Sequence, residues 1–160
     1  MPAQQLRRVV TGHDKRGRSV VSSDEMLQAT PFQRGWNWVD LWATEAPPHF
    51  PDDGSPPKLN HFIAPPGGFR CLIATVDPHT DERGGGSSKV DSAFHRTATI
   101  DMAFVIAGSC VLELDEDVQI QLNEGDTLVQ CGTIHAWRNP FDSPCRMLFT
   151  MIGAHNDLVK

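Results

Sequence analysis

The chain has 160 residues, 39% hydrophobic and 21% charged, with 14 Lys+Arg against 20 Asp+Glu for a formal charge of −6. One ordinary domain over 1–160 fits this length, and the acidic balance argues against nucleic acid, whose phosphates need a basic face. The longest apolar run, Met102–Ala107, is far short of the roughly 18 residues of a membrane span, and the opening MPAQQLRRVV lacks the apolar core of a secretory leader. A cytoplasmic protein that binds neither membrane nor nucleic acid is expected.

In chain order, Leu6–Val10 and Ser19–Val21 read as strands of an N-terminal arm. Ser23–Ala29 reads as a helical turn capped by Ser23 or Asp24. Trp36–Trp42 reads as a strand that carries Trp36, Trp38 and Trp42 on one face; core packing or a dimer contact accounts for them before substrate stacking does. Seven of the 12 prolines then fall between Pro47 and Pro66, where neither a helix nor a central strand can run. Residues 1–68 are thus N-terminal strands and a long Pro-rich loop.

Phe69–Val76 alternates apolar residues on both faces, as a strand buried on both sides does. A second long loop, Asp77–Ser92, contains Gly84, Gly85 and Gly86. Short β-rich runs follow at Ile100–Ala107, Cys110–Leu114, Val118–Leu122, Asp126–Gln130 and Cys145–Ile152, separated by Gly108, Asp115-Glu116-Asp117, Asn123-Glu124-Gly125 and Asn139-Pro140. Eight or more short strands with little helix predict an all-β sandwich or barrel, which can enclose one small ligand.

The residues that carry chemistry are His95, Thr97, Asp101 and His135. Two imidazoles and one carboxylate with open positions suit a divalent ion such as iron, zinc or manganese. Along one straight strand His95 and Asp101 would stand roughly 20 Å apart, so the chain must bend near Ala98-Thr99, although no Gly or Asn marks the place. If 95, 97 and 101 face inward, Ala103 and Val105 share their wall, Met102 and Phe104 lie behind it, and Trp137 points with His135. Such an apolar wall with a few polar groups is the ordinary form of a small-molecule pocket. Arg70 and Arg146 interrupt apolar strands, and pairing with an acidic side chain is the first expectation for them. Cys131, four residues before His135, raises the weaker idea of a nucleophilic thiolate. Four cysteines without Cys-x-x-Cys spacing read as reduced thiols.

The segments HRTATIDMAFVIAG and GDTLVQCGTIHAWRNP resemble the two motifs of the cupin superfamily, specifically its small single-domain, RmlC-like members; residues 93–152 carry the match. Anchored on Gly108, the resemblance places His95 at the first motif histidine, Thr97 where a second histidine stands in the family, and Asp101 in place of a glutamate. The second motif runs from Gly125 to His135 and Asn139, one residue shorter than usual, with Cys131 at the proline position.

The resemblance implies a double-stranded β-helix (jelly-roll barrel), a homodimer, and a divalent metal ion (iron, manganese, zinc or nickel) held by His95, Asp101 and His135. Thr97, Val105 and Trp137 would line the place of a small organic substrate. Dioxygenase, decarboxylase, isomerase and dehydratase chemistry all occur on this scaffold, and the residues do not choose among them. Two rivals stay open: a metal-free binding or sensing barrel in which Thr97 marks a lost site, and metal-free acid/base catalysis by His95 or His135 with Asp101.

Overall fold

The computed structural model describes residues 5–33, 35–81 and 94–158. The glycine-rich part of the second expected loop, residues 82–93, lies outside them. Two antiparallel sheets and a separate ribbon make up the fold. The larger sheet has six strands in the order β10 (Thr127–Cys131), β7 (Thr99–Ala107), β12 (Cys145–Gly153), β5 (Phe69–Val76), β4 (Trp36–Thr44) and β3 (Thr30–Gln33). The smaller has four, in the order β6 (Thr80–Asp81), β11 (Ala136–Asn139), β8 (Ser109–Glu113) and β9 (Gln119–Asn123). The N-terminal ribbon pairs β1 (Gln5–His13) with β2 (Ser19–Gln28).

The two sheets bury their facing residues against each other. Trp36, Leu72, Ala74, Val76, Val105 and Met147 from the large sheet meet Cys110, Leu112, Leu122 and Trp137 from the small one. On β7 the alternation is complete: Thr99, Asp101, Ala103 and Val105 are buried while Ile100, Met102 and Phe104 are exposed, as the period of two requires. The chain crosses between the sheets at Gly108, whose φ is +76° and where a Cβ would lie 2.2 Å from the Pro144 carbonyl oxygen. Only glycine fits that left-handed, crowded turn.

Two expectations from the sequence fail. Ser23–Ala29 is not helical, because Ser19–Gln28 forms one strand along the whole length of β1. Asp24, expected as a helix cap, accepts two 2.7 Å hydrogen bonds from the Arg7 guanidinium, and Glu25 pairs with Arg8. Cross-strand ion pairs have taken the side chains that a helix terminus would have used. Nor do the three tryptophans share a face. A register shift between Asp40 and Trp42 turns Trp42 to the opposite side of β4, where the Arg8 guanidinium lies 5.6 Å from its ring centroid. Trp36 and Trp38 remain on the core side, and one extra residue in a strand reverses all that follows.

Arg70 does pair as expected. Its guanidinium meets Glu45 at 2.5 Å and donates to the carbonyls of Thr44, His61, Phe62 and Phe69, so it ties the Pro-rich loop to the end of β5. The same loop lies against β12 at Gly153, where a Cβ would come within 1.9 Å of the Pro65 carbonyl oxygen.

Candidate ligand and metal site at the barrel end

The site begins with a backbone contact between residues distant in sequence. His95 and His135 form an isolated antiparallel bridge, each N–H donating to the other's carbonyl at 2.9 Å. Their imidazole centroids are 4.3 Å apart. The required bend is present at Ala98, with β7 starting at Thr99. It is held from the C-terminal side: the Ala154 N–H donates to the Ala98 carbonyl at 2.8 Å, and the Asn156 amide reaches the Thr97 and Gly132 carbonyls at 3.3 and 3.4 Å. This explains a bend without a local glycine; the residue that fixes it lies nearly sixty positions downstream.

From that bend β7 carries Asp101 inward, 7% exposed. Burial pushes its carboxyl pKa above the ordinary value, opposed by a hydrogen bond from Thr99 and by the nearby His95 charge. Thr99 is itself 2.6 Å from the Thr97 hydroxyl. Because Thr99 donates to the carboxylate, Thr97 donates to Thr99, and a two-hydroxyl chain steadies Asp101. Thr97 therefore acts on Asp101 through its neighbour in this arrangement.

His135 is 3% exposed, whereas His95 stands at the open side. Burial is the main reason that the His135 pKa falls to about 4, with the His95 charge adding to the fall and the Thr133 carbonyl opposing it. Its Nδ1 lies 3.0 Å from the Thr133 carbonyl oxygen, a contact that the Nδ1–H tautomer turns into a hydrogen bond. A histidine that donates one ring N–H to a backbone carbonyl has the orientation of a metal ligand. The Gln130 amide nitrogen lies against the ring, 2.9 Å from Nδ1 and 3.2 Å from Nε2. Gln130 is opposite Asp101 in the β10–β7 register and 3% exposed.

Trp137 continues inward from His135, its ring edge-on to the imidazole at a centroid distance of 6.3 Å. It is in the core cluster with Val105, which lies about 13 Å along β7 from Asp101 at ordinary strand rise. Trp137 and Val105 thus form the apolar interior behind the polar end. Cys131 is exposed and pairs with Ile100 on the outer face of the sheet, so register separates its thiol from the imidazoles. The idea of a cysteine nucleophile falls.

The residues present suit a divalent ion in kind. They offer two imidazoles, one carboxylate and two buried oxygens without a hydrogen-bond partner, Asp101 Oδ1 and Gln130 Oε1. Among the described residues, however, no group of three or more His, Cys, Asp or Glu side chains is set around one point as an ion requires. Gln130 was missed in the sequence. Its signal was available: in Thr127–Cys131 the inward positions are Leu128 and Gln130, and a polar residue stands where alternation calls for an apolar one.

The cupin domain pattern matches residues 79–151. Over 152 residues the chain is 31% identical to phomopsin biosynthesis cluster protein C' of Diaporthe leptostromiformis, covering 92% of this chain and 78% of that protein. The chain belongs to the cupin superfamily. This cupin is also 45% identical over 105 residues to oryzines biosynthesis cluster protein J of Aspergillus oryzae, covering 64% of this chain and 52% of that protein. It is 26% identical over 167 residues to the cupin-domain-containing oxidoreductase fogC of Aspergillus ruber, covering 96% of this chain and 75% of that protein. The fold matches an RmlC-like cupin from Shewanella frigidimarina with a TM-score of 0.50 at 13% identity, over 83% of this chain and 89% of that one. It also matches KdgF from Halomonas with a TM-score of 0.50 at 12% identity, over 82% and 90%. The jelly-roll architecture expected from the motifs is the architecture found.

Proposed function

We propose that this cupin is an enzyme that holds one divalent metal ion with His95, Asp101 and His135 and transforms a small organic molecule beside it. The observation that carries this reading is the meeting of two imidazoles from distant parts of the chain, 4.3 Å apart, together with a buried Asp101 carboxylate oxygen on the adjoining strand that has no hydrogen-bond partner. Relatives named for biosynthesis clusters and for an oxidoreductase support small-molecule chemistry. Bound there, an iron, manganese, zinc or nickel ion would supply Lewis-acid polarisation of a substrate oxygen.

The chain's own residues divide the remaining work. His135, neutral at pH 7, presents Nε2 while Thr133 holds its other nitrogen. The Thr97–Thr99 pair keeps Asp101 aimed, with Thr97 at the edge of the substrate's place. Trp137 and Val105 line the apolar side and exclude water. The exposed His95 side is the way in. The four cysteines are free thiols, which suits a reducing, cytoplasmic setting. The chain as a single catalytic domain acting as a homodimer completes the proposal. Its pairing surface would be the outer face of the large sheet, where Ile100, Met102, Phe104, Val129 and Ile152 are all exposed.

A second reading, a metal-free binding or sensing barrel, rests on the Gln130 amide nitrogen packed against both ring nitrogens of His135. Metal analysis of protein purified without chelator separates the two. The first reading expects about one equivalent of ion per chain, lost in His135→Ala. Less than about a tenth of an equivalent, unchanged after reconstitution, overturns it in favour of the second.

A further inference from the structure

We propose that Asn156 is the positioning residue of this site: one side-chain amide in the C-terminal segment holds together the two stretches of backbone that carry His95 and His135. The inference rests on the reading above in one respect only, that these two imidazoles belong to the functional site, and its test needs no metal ion.

The Asn156 amide nitrogen donates to the Thr97 carbonyl at 3.3 Å and to the Gly132 carbonyl at 3.4 Å. Thr97 follows His95 by two residues and Gly132 precedes His135 by three, so the N–H groups of a single amide span the gap between the two segments. Which end of the amide faces them is settled by its other end, because Asn156 Oδ1 accepts the Leu158 N–H at 2.9 Å. Turning the amide over would set an oxygen against two carbonyl oxygens and a nitrogen against an N–H, and all three hydrogen bonds would be lost.

The junction is shaped around this contact. Gly132 has a φ of +60°, and a Cβ there would lie 2.8 Å from Asn156 Nδ2 and 3.2 Å from the Thr97 carbonyl oxygen, so the three segments touch at a position that glycine alone fills. The His95–His135 bridge needs outside support, since it stands apart from the named strands with two hydrogen bonds and no ladder on either side among the described residues. Pairing that short opens easily unless something beyond it fixes the register. The tail that supplies the support is itself anchored: the Ala154 N–H donates to the Ala98 carbonyl at 2.8 Å, and Gly153 exchanges hydrogen bonds with Gly67 and Gly68 of the Pro-rich loop. Holding the Thr97 backbone also steadies the Thr97 hydroxyl, and with it the Thr99 hydroxyl that serves Asp101. Asn156 thus sets the approach of both imidazoles and the aim of the carboxylate through backbone carbonyls and the two threonines.

The test is amide hydrogen exchange of metal-stripped protein, followed by NMR, for the wild type, Asn156→Asp, Asn156→Ala and Gly132→Ala. Asn156→Asp keeps the acceptor for Leu158 and puts an oxygen in place of the donor, so it removes the bridging contact and little else. In each folded variant the His95 and His135 amides should exchange at least about tenfold faster than in wild type, while the amides of Ala103 and Met147 in the core strands keep their wild-type rates. The cross-peaks between the ring protons of the two imidazoles should weaken in the same variants; a general loss of stability would leave them unmoved. Circular dichroism shows which variants are folded, and Asn156→Ala and Gly132→Ala carry the test if Asn156→Asp does not fold. Wild-type exchange at His95 and His135 in a folded variant, unchanged ring cross-peaks, or faster exchange spread evenly over these amides and the core strands would overturn the assignment. None of these results bears on the metal reading, which metal analysis decides separately.

Discussion

The buried, neutral state of His135 makes stability depend on pH in a way that can be worked out. Its pKa falls from 6.5 to about 4 on folding, so the unfolded chain binds the proton more tightly. The stability that His135 contributes is therefore complete above pH 6.5 and is lost as pH falls toward 4. The whole shift corresponds to roughly 3 kcal/mol at 1.36 kcal/mol per unit, and about 2 kcal/mol of it falls between pH 7 and pH 5. Asp101 works in the opposite sense, because its raised pKa means that the folded state takes up a proton more readily on acidification. Glu45, held at about 2 mainly by the His61 hydrogen bond, with Arg70 contributing less, loses its contribution only below its ordinary range near 4.5. Both carboxyls are present in wild type and in His135→Gln, so the difference between the two isolates the imidazole. Urea unfolding of metal-stripped protein should show a midpoint that falls by about 1 M more for wild type than for His135→Gln between pH 7 and pH 5, at an ordinary slope. Parallel declines in the two proteins would refute the argument that burial holds this ring neutral.

Arg70→Met should destabilise by about 2–4 kcal/mol, because it leaves the carbonyls that Arg70 serves at the loop junction without a donor; a urea midpoint change worth less than about 0.5 kcal/mol would contradict the pinning role. Phe104→Glu, which places a charge in the middle of the exposed apolar face, should shift sedimentation from dimer to monomer at micromolar concentration without changing the circular dichroism spectrum. A wild type that sediments as a monomer would remove the dimer instead.

Much of this molecule was legible because its core strands obey a period of two. Ile100–Ala107 and Cys145–Ile152 were readable as strands to within a residue of their ends, and the inward set Asp101, Ala103 and Val105 followed from alternation alone. The failures have local physical causes. Asp24 has the chemistry of a helix cap, but Arg7 across the ribbon competes for it and wins. Trp42 leaves the face of Trp36 and Trp38 because of a bulge that leaves no mark in the sequence. The strand Ala136–Asn139 is only four residues long and begins beside a candidate ligand, too short for alternation to mark it. The bend that unites the site was expected, yet its support from Asn156 was not, since nothing in the sequence near Ala98 points to a residue so far away. Gln130 is the instructive omission: a polar side chain on an inward position is a site residue until shown otherwise.

The account turns on one ion between strands that meet only at the barrel end. Anomalous diffraction from crystals of protein purified without chelator, collected on both sides of the absorption edge of the metal found by elemental analysis, tests it most directly. A single peak bonded to His135 Nε2 and to Asp101, with His95 in the same coordination sphere, is the predicted result. A map with its only strong peaks at the sulfur atoms, or with a metal peak away from these three side chains, would contradict it.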